Sequence, residues 1–143
     1  MTVVTDMESP RFAAFSQAVV GGGLLYTSGV VSCEVSSGKV VVLDSNDIEL
    51  QMKRVMRTLK GILGAAEMSF KNVIKTTIYY TRLGDYARIN EFYLKALDGA
   101  GVLEYRRPAR TAVPVTALAL EGLVVEIEMI AEVPKGLLEG KTE

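Results

Sequence analysis

The chain contains no histidine, and that absence removes more mechanisms than anything else in the composition. A Ser-His-Asp triad, a Cys-His pair and an imidazole-based zinc site are all excluded. The single cysteine, Cys33, can form neither an intrachain disulfide nor a thiolate cluster. No G-x-G-x-x-G or Walker-type loop is present to hold a nucleotide. No apolar run is long enough to cross a membrane, and the N-terminus lacks the basic-then-apolar pattern of a secretory signal. With only one thiol, the expected location is therefore cytoplasmic. No basic run breaks the balance of 16 basic against 17 acidic residues, so neither nucleic acid nor membrane is expected as a partner. Any catalysis has to use Glu, Asp, Arg, Lys, Tyr, Ser or backbone groups.

What is present suits one domain over residues 1–143, with a core at about 12–134 and loosely ordered termini. Such a length buries roughly two thirds of the surface its unfolded chain exposes. Near the N-terminus, Val3 and Val4 are placed to pair at a sheet edge. Residues 15–20 and 24–31 read as two strands of a hairpin across Gly21-Gly22-Gly23. Residues 39–43 form a short edge-like run. Asn46 with Glu49 has the spacing of a capping box, followed by Ile48, Met52, Val55, Met56, Leu59, Ile62, Leu63 and Ala66 at helical spacing. The other face of that helix carries Glu49, Lys53, Arg54, Arg57 and Lys60 and reads as solvated. A strand over 73–81 places Ile74, Ile78 and Tyr80 on one face. A second helix over 86–97 is capped by Asp85, with Ile89, Tyr93, Ala96 and Leu97 inward.

The stretch Arg106-Arg107-Pro108-Ala109-Arg110-Thr111-Ala112-Val113-Pro114-Val115 sets a guanidinium at the start of a β-branched run. In Val124-Val125-Glu126-Ile127-Glu128-Met129-Ile130-Ala131, apolar and polar residues then alternate as in a strand. The short connection through Glu121-Gly122 predicts that these two strands are antiparallel neighbours. Arg110 and one or both glutamates would then share the sheet face left open by the helices. A guanidinium offers planar paired donors to a carboxylate. Arg110 is thus either the anchor of a small carboxylate ligand or one half of a structural ion pair with Glu126 or Glu128. Because the Arg110 strand is apolar on both sides, its open face is expected to be covered by other subunits.

The Arg107–Val113 and Val125–Ala131 segments resemble the paired C-terminal signature of the Rid family, also called YjgF, of small enamine/imine deaminases. Ser16-Gln17-Ala18-Val19, Tyr26-Thr27-Ser28-Gly29, Val73-Ile74-Lys75-Thr76-Thr77 and Ile89-Asn90-Glu91-Phe92-Tyr93 fall in that family's order. The resemblance implies an α+β, chorismate-mutase-like fold of the bacillary type, with a sheet of about six strands and two helices on one face. It also implies a homotrimer with sites at subunit interfaces. The implied reaction is hydrolysis of 2-imino acids, such as 2-aminoacrylate/2-iminopropanoate and 2-iminobutyrate, to 2-oxo acids and ammonia, with no metal and no cofactor.

On the same resemblance, Arg110 neutralises the substrate carboxylate, Glu126 with the Ala112 carbonyl positions water, Ser28 and Gly29 contact the carboxylate, and Asn90 lines the cleft. Phe15 stands where many deaminating members carry tyrosine, and Val30-Val31-Ser32 replaces a usual Gln-Ile-Pro. Both departures bear on the substrate range. Two other readings stay open: a non-catalytic trimer that binds or senses small carboxylates, and a structural or chaperone-like interaction protein.

Overall fold

The computed structural model describes residues 1–3, 5 and 10–137. Val4 and all but the first residue of the loose tail expected over 137–143 lie outside them. Leu137 itself packs against the core.

Strand β1 (Thr2–Val3) pairs with β2 (Ala18–Gly21), which forms a hairpin with β3 (Leu24–Thr27). Gly22 and Gly23 occupy the turn at φ 61 and 79, a region glycine enters without steric cost. Strands β4 (Cys33–Ser36) and β5 (Lys39–Val42) pair only with each other. The run over 39–43 is therefore half of a separate hairpin and not an edge of the main sheet. Helix α1 (Ile48–Ala65), strand β6 (Val73–Tyr80), helix α2 (Tyr86–Gly99), β7 (Ala109–Pro114) and β8 (Val125–Glu132) complete the chain.

The two helices begin differently from the pattern expected of them. Asp47, not Asn46, caps α1, its side chain accepting from the Leu50 amide at 2.9 Å. Asn46 is held instead at φ 61, and its own amide bonds the Gly122 carbonyl at 2.8 Å. Asp85 precedes α2 without a capping bond, because its carboxylate pairs with Arg82 at 2.7 Å.

The main sheet is mixed and runs β1-β2-β3-β8-β6-β7. Both helices cover one of its faces. Met52, Val55, Leu59 and Leu63 of α1 and Ile89, Tyr93 and Leu97 of α2 join Leu25, Ile78, Ile127 and Met129 in one buried cluster. An irregularity between Val73 and Lys75 turns Ile74 outward at 45% exposure and puts Val73 and Thr76 inside. The uncovered face carries Val19, Tyr26, Lys75, Thr77, Tyr79, Glu126, Glu128 and Ile130, all partly or fully exposed.

Strands β7 and β8 are not neighbours, contrary to the expectation from their short connection. β8 lies antiparallel between β3 and β6, and β7 lies parallel to β6 at the sheet edge. The physical reason is α2: a strand, a crossover helix and a strand form a parallel pair, and that unit seats β7 beside β6 before β8 is reached. The consequence for the site is large. Arg110 is in register with Thr76 and Met129 on the helix-covered face, whereas Glu126 is in register with Tyr79 on the open one.

Candidate active site

The expected residues gather in two groups. The first is built where β3 leaves β8. Tyr26 pairs with Ile130 and Val30 with Ile127, so the β3 side carries one more residue than its partner. In this bulge the Met129 amide bonds the Thr27 hydroxyl at 2.9 Å. Such bulges re-aim the chain, and this one lays Gly29 against the Glu126 carboxylate. A β-carbon at residue 29 would stand 2.1 Å from Glu126 Oε2, so any side chain there would push the carboxylate out of its place. Ser28 donates its hydroxyl proton to the Ser16 carbonyl at 2.6 Å, leaving its oxygen lone pairs free. Phe15, 47% exposed, stacks on Phe12 with ring centres 4.7 Å apart. With Ser28, Gly29, Val30 and Val31 these rings line a small pocket against Thr58 and Ile62 of α1. Ser32, in the place of the family's proline, is buried and donates to the Leu43 carbonyl at 2.8 Å.

Glu126 has no hydrogen-bond or ionic partner among the described residues. Burial first, and the like charge of Glu128 second, push its pKa above the ordinary 4.5. Glu128 differs in one respect: it accepts the Tyr79 hydroxyl proton at 2.8 Å. That bond is also the main reason the Tyr79 phenol is raised.

The second group lies at the β7 edge under α2. Arg110 donates to the Tyr86 hydroxyl at 2.9 Å, and its guanidinium carbon sits 5.7 and 5.3 Å from the Tyr86 and Tyr93 ring centres. A cation so placed is held by the ring quadrupoles while its remaining donors stay available. Tyr93 donates in turn to Thr76 Oγ1 at 2.9 Å, and burial raises its phenol above the ordinary value. Asn90 falls between Tyr86 and Tyr93 on the same helix face, and its Oδ1 is buried with no partner. Arg107 pairs with Asp98 at 3.3 Å and keeps a buried, unpartnered Nε. Ala112 stands on the same side of β7 as Arg110, in register with Ile78.

The structure therefore groups Phe15 with Ser28 and Gly29, sets Gly29 against Glu126, and separately places Asn90, Arg110 and Ala112 at the β7 edge. Two strand spacings and three residues of rise put the Arg110 and Glu126 backbones about 14 Å apart, with side chains on opposite faces. A structural ion pair of Arg110 with Glu126 or Glu128 is absent among the described residues. Tyr86 and Tyr93 escaped the sequence reading as site residues. Their only signal was the spacing Tyr86, Asn90, Tyr93, which also reads as one face of an ordinary amphipathic helix. Among the described residues no group of His, Cys, Asp or Glu is arranged to hold a metal. No described helix is long and apolar enough to cross a membrane.

Fold and site together define a small α+β protein with a mixed six-stranded sheet, two helices on one face, and a cation and a carboxylate that lack counter-ions among the described residues. The family model described as Endoribonuclease L-PSP matches residues 7–133, and the chain belongs to that family, the Rid or YjgF family. It is 34% identical over 130 residues to the rat protein named 2-iminobutanoate/2-iminopropanoate deaminase, covering 90% of this chain and 88% of that one. Among solved structures, RidA from an Antarctic Psychrobacter superposes with TM-score 0.77 at 32% identity, over 93% of this chain and 99% of its own. Escherichia coli TdcF with bound serine superposes with TM-score 0.79 at 28% identity, over 94% and 98%. The names in this family cover more than one chemistry, so the reaction has to be argued from the residues.

Proposed function

We propose that this protein hydrolyses small 2-imino acids to 2-oxo acids and ammonia in a cleft shared between copies of the chain, arranged as a homotrimer. The observation that carries this reading is that both groups the reaction needs, the Arg110 guanidinium and the Glu126 carboxylate, lack counter-ions among the described residues. In a purely structural role such charges pair with one another. The likeness to a named deaminase and to a relative holding serine, a small amino acid, supports the same class of ligand.

Arg110, held by Tyr86 and Tyr93, binds the substrate carboxylate through paired donors. Asn90 Oδ1 and the Ser28–Gly29 turn complete the polar lining, and Phe15 walls the side-chain end. Glu126, assisted by the Ala112 carbonyl, accepts a proton from water as its oxygen bonds to the imine carbon and the C=N π electrons move to nitrogen. The resulting carbinolamine takes a proton on nitrogen from the Glu126 acid, the carboxylate then removes the hydroxyl proton as the C–N bond breaks, and ammonia and the 2-oxo acid leave. One subunit cannot present Arg110 and Glu126 to the same small molecule, since they lie on opposite faces. A cleft between the β7 edge of one copy and the open face of the next can.

The test is to generate 2-iminobutyrate with a threonine dehydratase and follow release of 2-oxobutyrate. Arg110→Ala is expected to lower the accelerated rate about 10² to 10³-fold, as for removal of a pre-organised electrostatic clamp. Glu126→Gln should abolish turnover and leave 2-oxobutyrate binding intact. Wild-type turnover in Arg110→Ala overturns the assignment. Binding without any acceleration by the wild-type protein would establish a carboxylate-sensing trimer instead.

A further inference from the structure

On the solvent side of the helix layer, α1 and α2 diverge around a groove of about 460 Å³. Its origin is legible in the residues. Near the start of α2 the gap is closed by Arg88, which bonds Glu49, and by Phe92 beneath it. One turn later Ala96, Gly99 and, just past the helix end, Ala100 are too small to bridge to α1, so the gap stays open. The floor is apolar, made by Met52, Met56, Phe70 and Phe92. The rim is mainly cationic: Lys53, Arg57 and Lys60 stand at successive turns of α1 and Lys95 faces them from α2, with Glu49 the one carboxylate among them.

These cations are not equivalent. Lys53 pairs with Glu49 at 3.2 Å and Lys95 with Glu91 at 3.4 Å, while both ammonium groups also flank the Phe92 ring at 5.5 and 5.1 Å. Arg57 and Lys60 have no anionic partner among the described residues. In a chain of net charge -1, this concentrates uncompensated positive charge over an apolar floor. A concavity of a few hundred Å³ with an apolar base and a few convergent charges is the usual form of a small-ligand site. Low-dielectric walls focus the field of the rim into it.

We propose that this groove is a second ligand site, separate from both halves of the candidate active site, that takes a small amphipathic organic monoanion. An aryl or short aliphatic body lies on the accessible edges of Met56, Phe70 and Phe92, and a carboxylate or sulfonate head sits between Arg57 and Lys60. A polyanion has no use for the apolar floor, and a neutral apolar molecule leaves the two free cations unsatisfied. The groove lies on the opposite side of the molecule from the open sheet face, so it stays accessible when that face is covered.

The experiment uses 8-anilinonaphthalene-1-sulfonate as a fluorescent probe and 3-phenylpropionate as competitor, with 3-phenylpropanol as its uncharged counterpart. The full chain is expected to bind the probe saturably, and the acid but not the alcohol to displace it. The double variant Arg57→Gln, Lys60→Gln should weaken binding at least about tenfold, as expected for loss of charge-assisted hydrogen bonds. Gly99→Leu should block the site by filling it; a β-carbon there meets nothing within 4 Å, and thermal unfolding of the variant is measured beside its binding to show that the fold is kept. Arg110→Ala should bind the probe as the wild type does. Unchanged affinity in both groove variants, equal displacement by the alcohol, or loss of binding in Arg110→Ala would each overturn the proposal.

Discussion

Glu126 occupies a poor position for a carboxylate: half-buried, next to the charge of Glu128, and close against Gly29. Both causes favour the protonated acid. As a base it works only when ionised, so the acid limb of the kcat/KM profile should lie above 4.5, the ordinary glutamate value. Removing the like charge lowers the energy of the ionised form. Glu128→Gln is therefore expected to shift that limb to lower pH, and a rate profile measured from pH 4 to 8 checks it. A limb that does not move would mean that Glu128, engaged with Tyr79, leaves Glu126 untouched. Arg110 shows the complementary case. Its candidacy was readable from the Pro-Ala-Arg segment, but the aromatic rings that hold it come from another element, and nothing in the local sequence ties Tyr86 to Arg110.

At the scale of elements, α1 and the two loops beside it depend on one buried polar side chain. Gln51 is fully buried; its amide nitrogen donates to the Asp44 and Gly122 carbonyls at 3.0 and 2.7 Å, and its oxygen accepts from the Val124 amide at 3.0 Å. It thereby fixes the approach to α1 and the start of β8 together. Gln51→Leu keeps the bulk and strands those backbone groups, so it should cost about 2 to 4 kcal/mol in urea unfolding. Unchanged stability would show that these groups find other partners. The helical spacing around Gln51 was plain in the sequence, as was the apolar stripe from Met52 to Leu63. Which polar residue on that helix faces inward was not, because an amide enters a core only where facing backbone groups await it.

For the whole molecule, the separation of Arg110 from Glu126 makes a specific demand. If the cleft takes Arg110 from one copy and Glu126 from another, neither Arg110→Ala nor Glu126→Gln alone has an intact site, yet mixed assemblies contain some. Chains of the two variants, unfolded together and refolded, should regain a measurable fraction of wild-type turnover, whereas each refolded alone should not. Absence of any regain, with assembly confirmed by sedimentation, would place the whole site in one chain. Val19 and Tyr26, paired in register and 43% and 46% exposed on the open face, are the apolar surface such an assembly would cover.

The sequence by itself determined the helices, their inward faces and most of the strands, because periodicity is a local property that a chain carries before it folds. It also marked Arg110 and Glu126 as the charged residues to examine. Only the tertiary structure decided that β8 runs between β3 and β6, and hence that these two residues face opposite ways. Alternation along a strand states which residues share a side. Which side is covered, and which strand lies alongside, depends on non-local pairing, and here on the crossover helix that seats β7 beside β6.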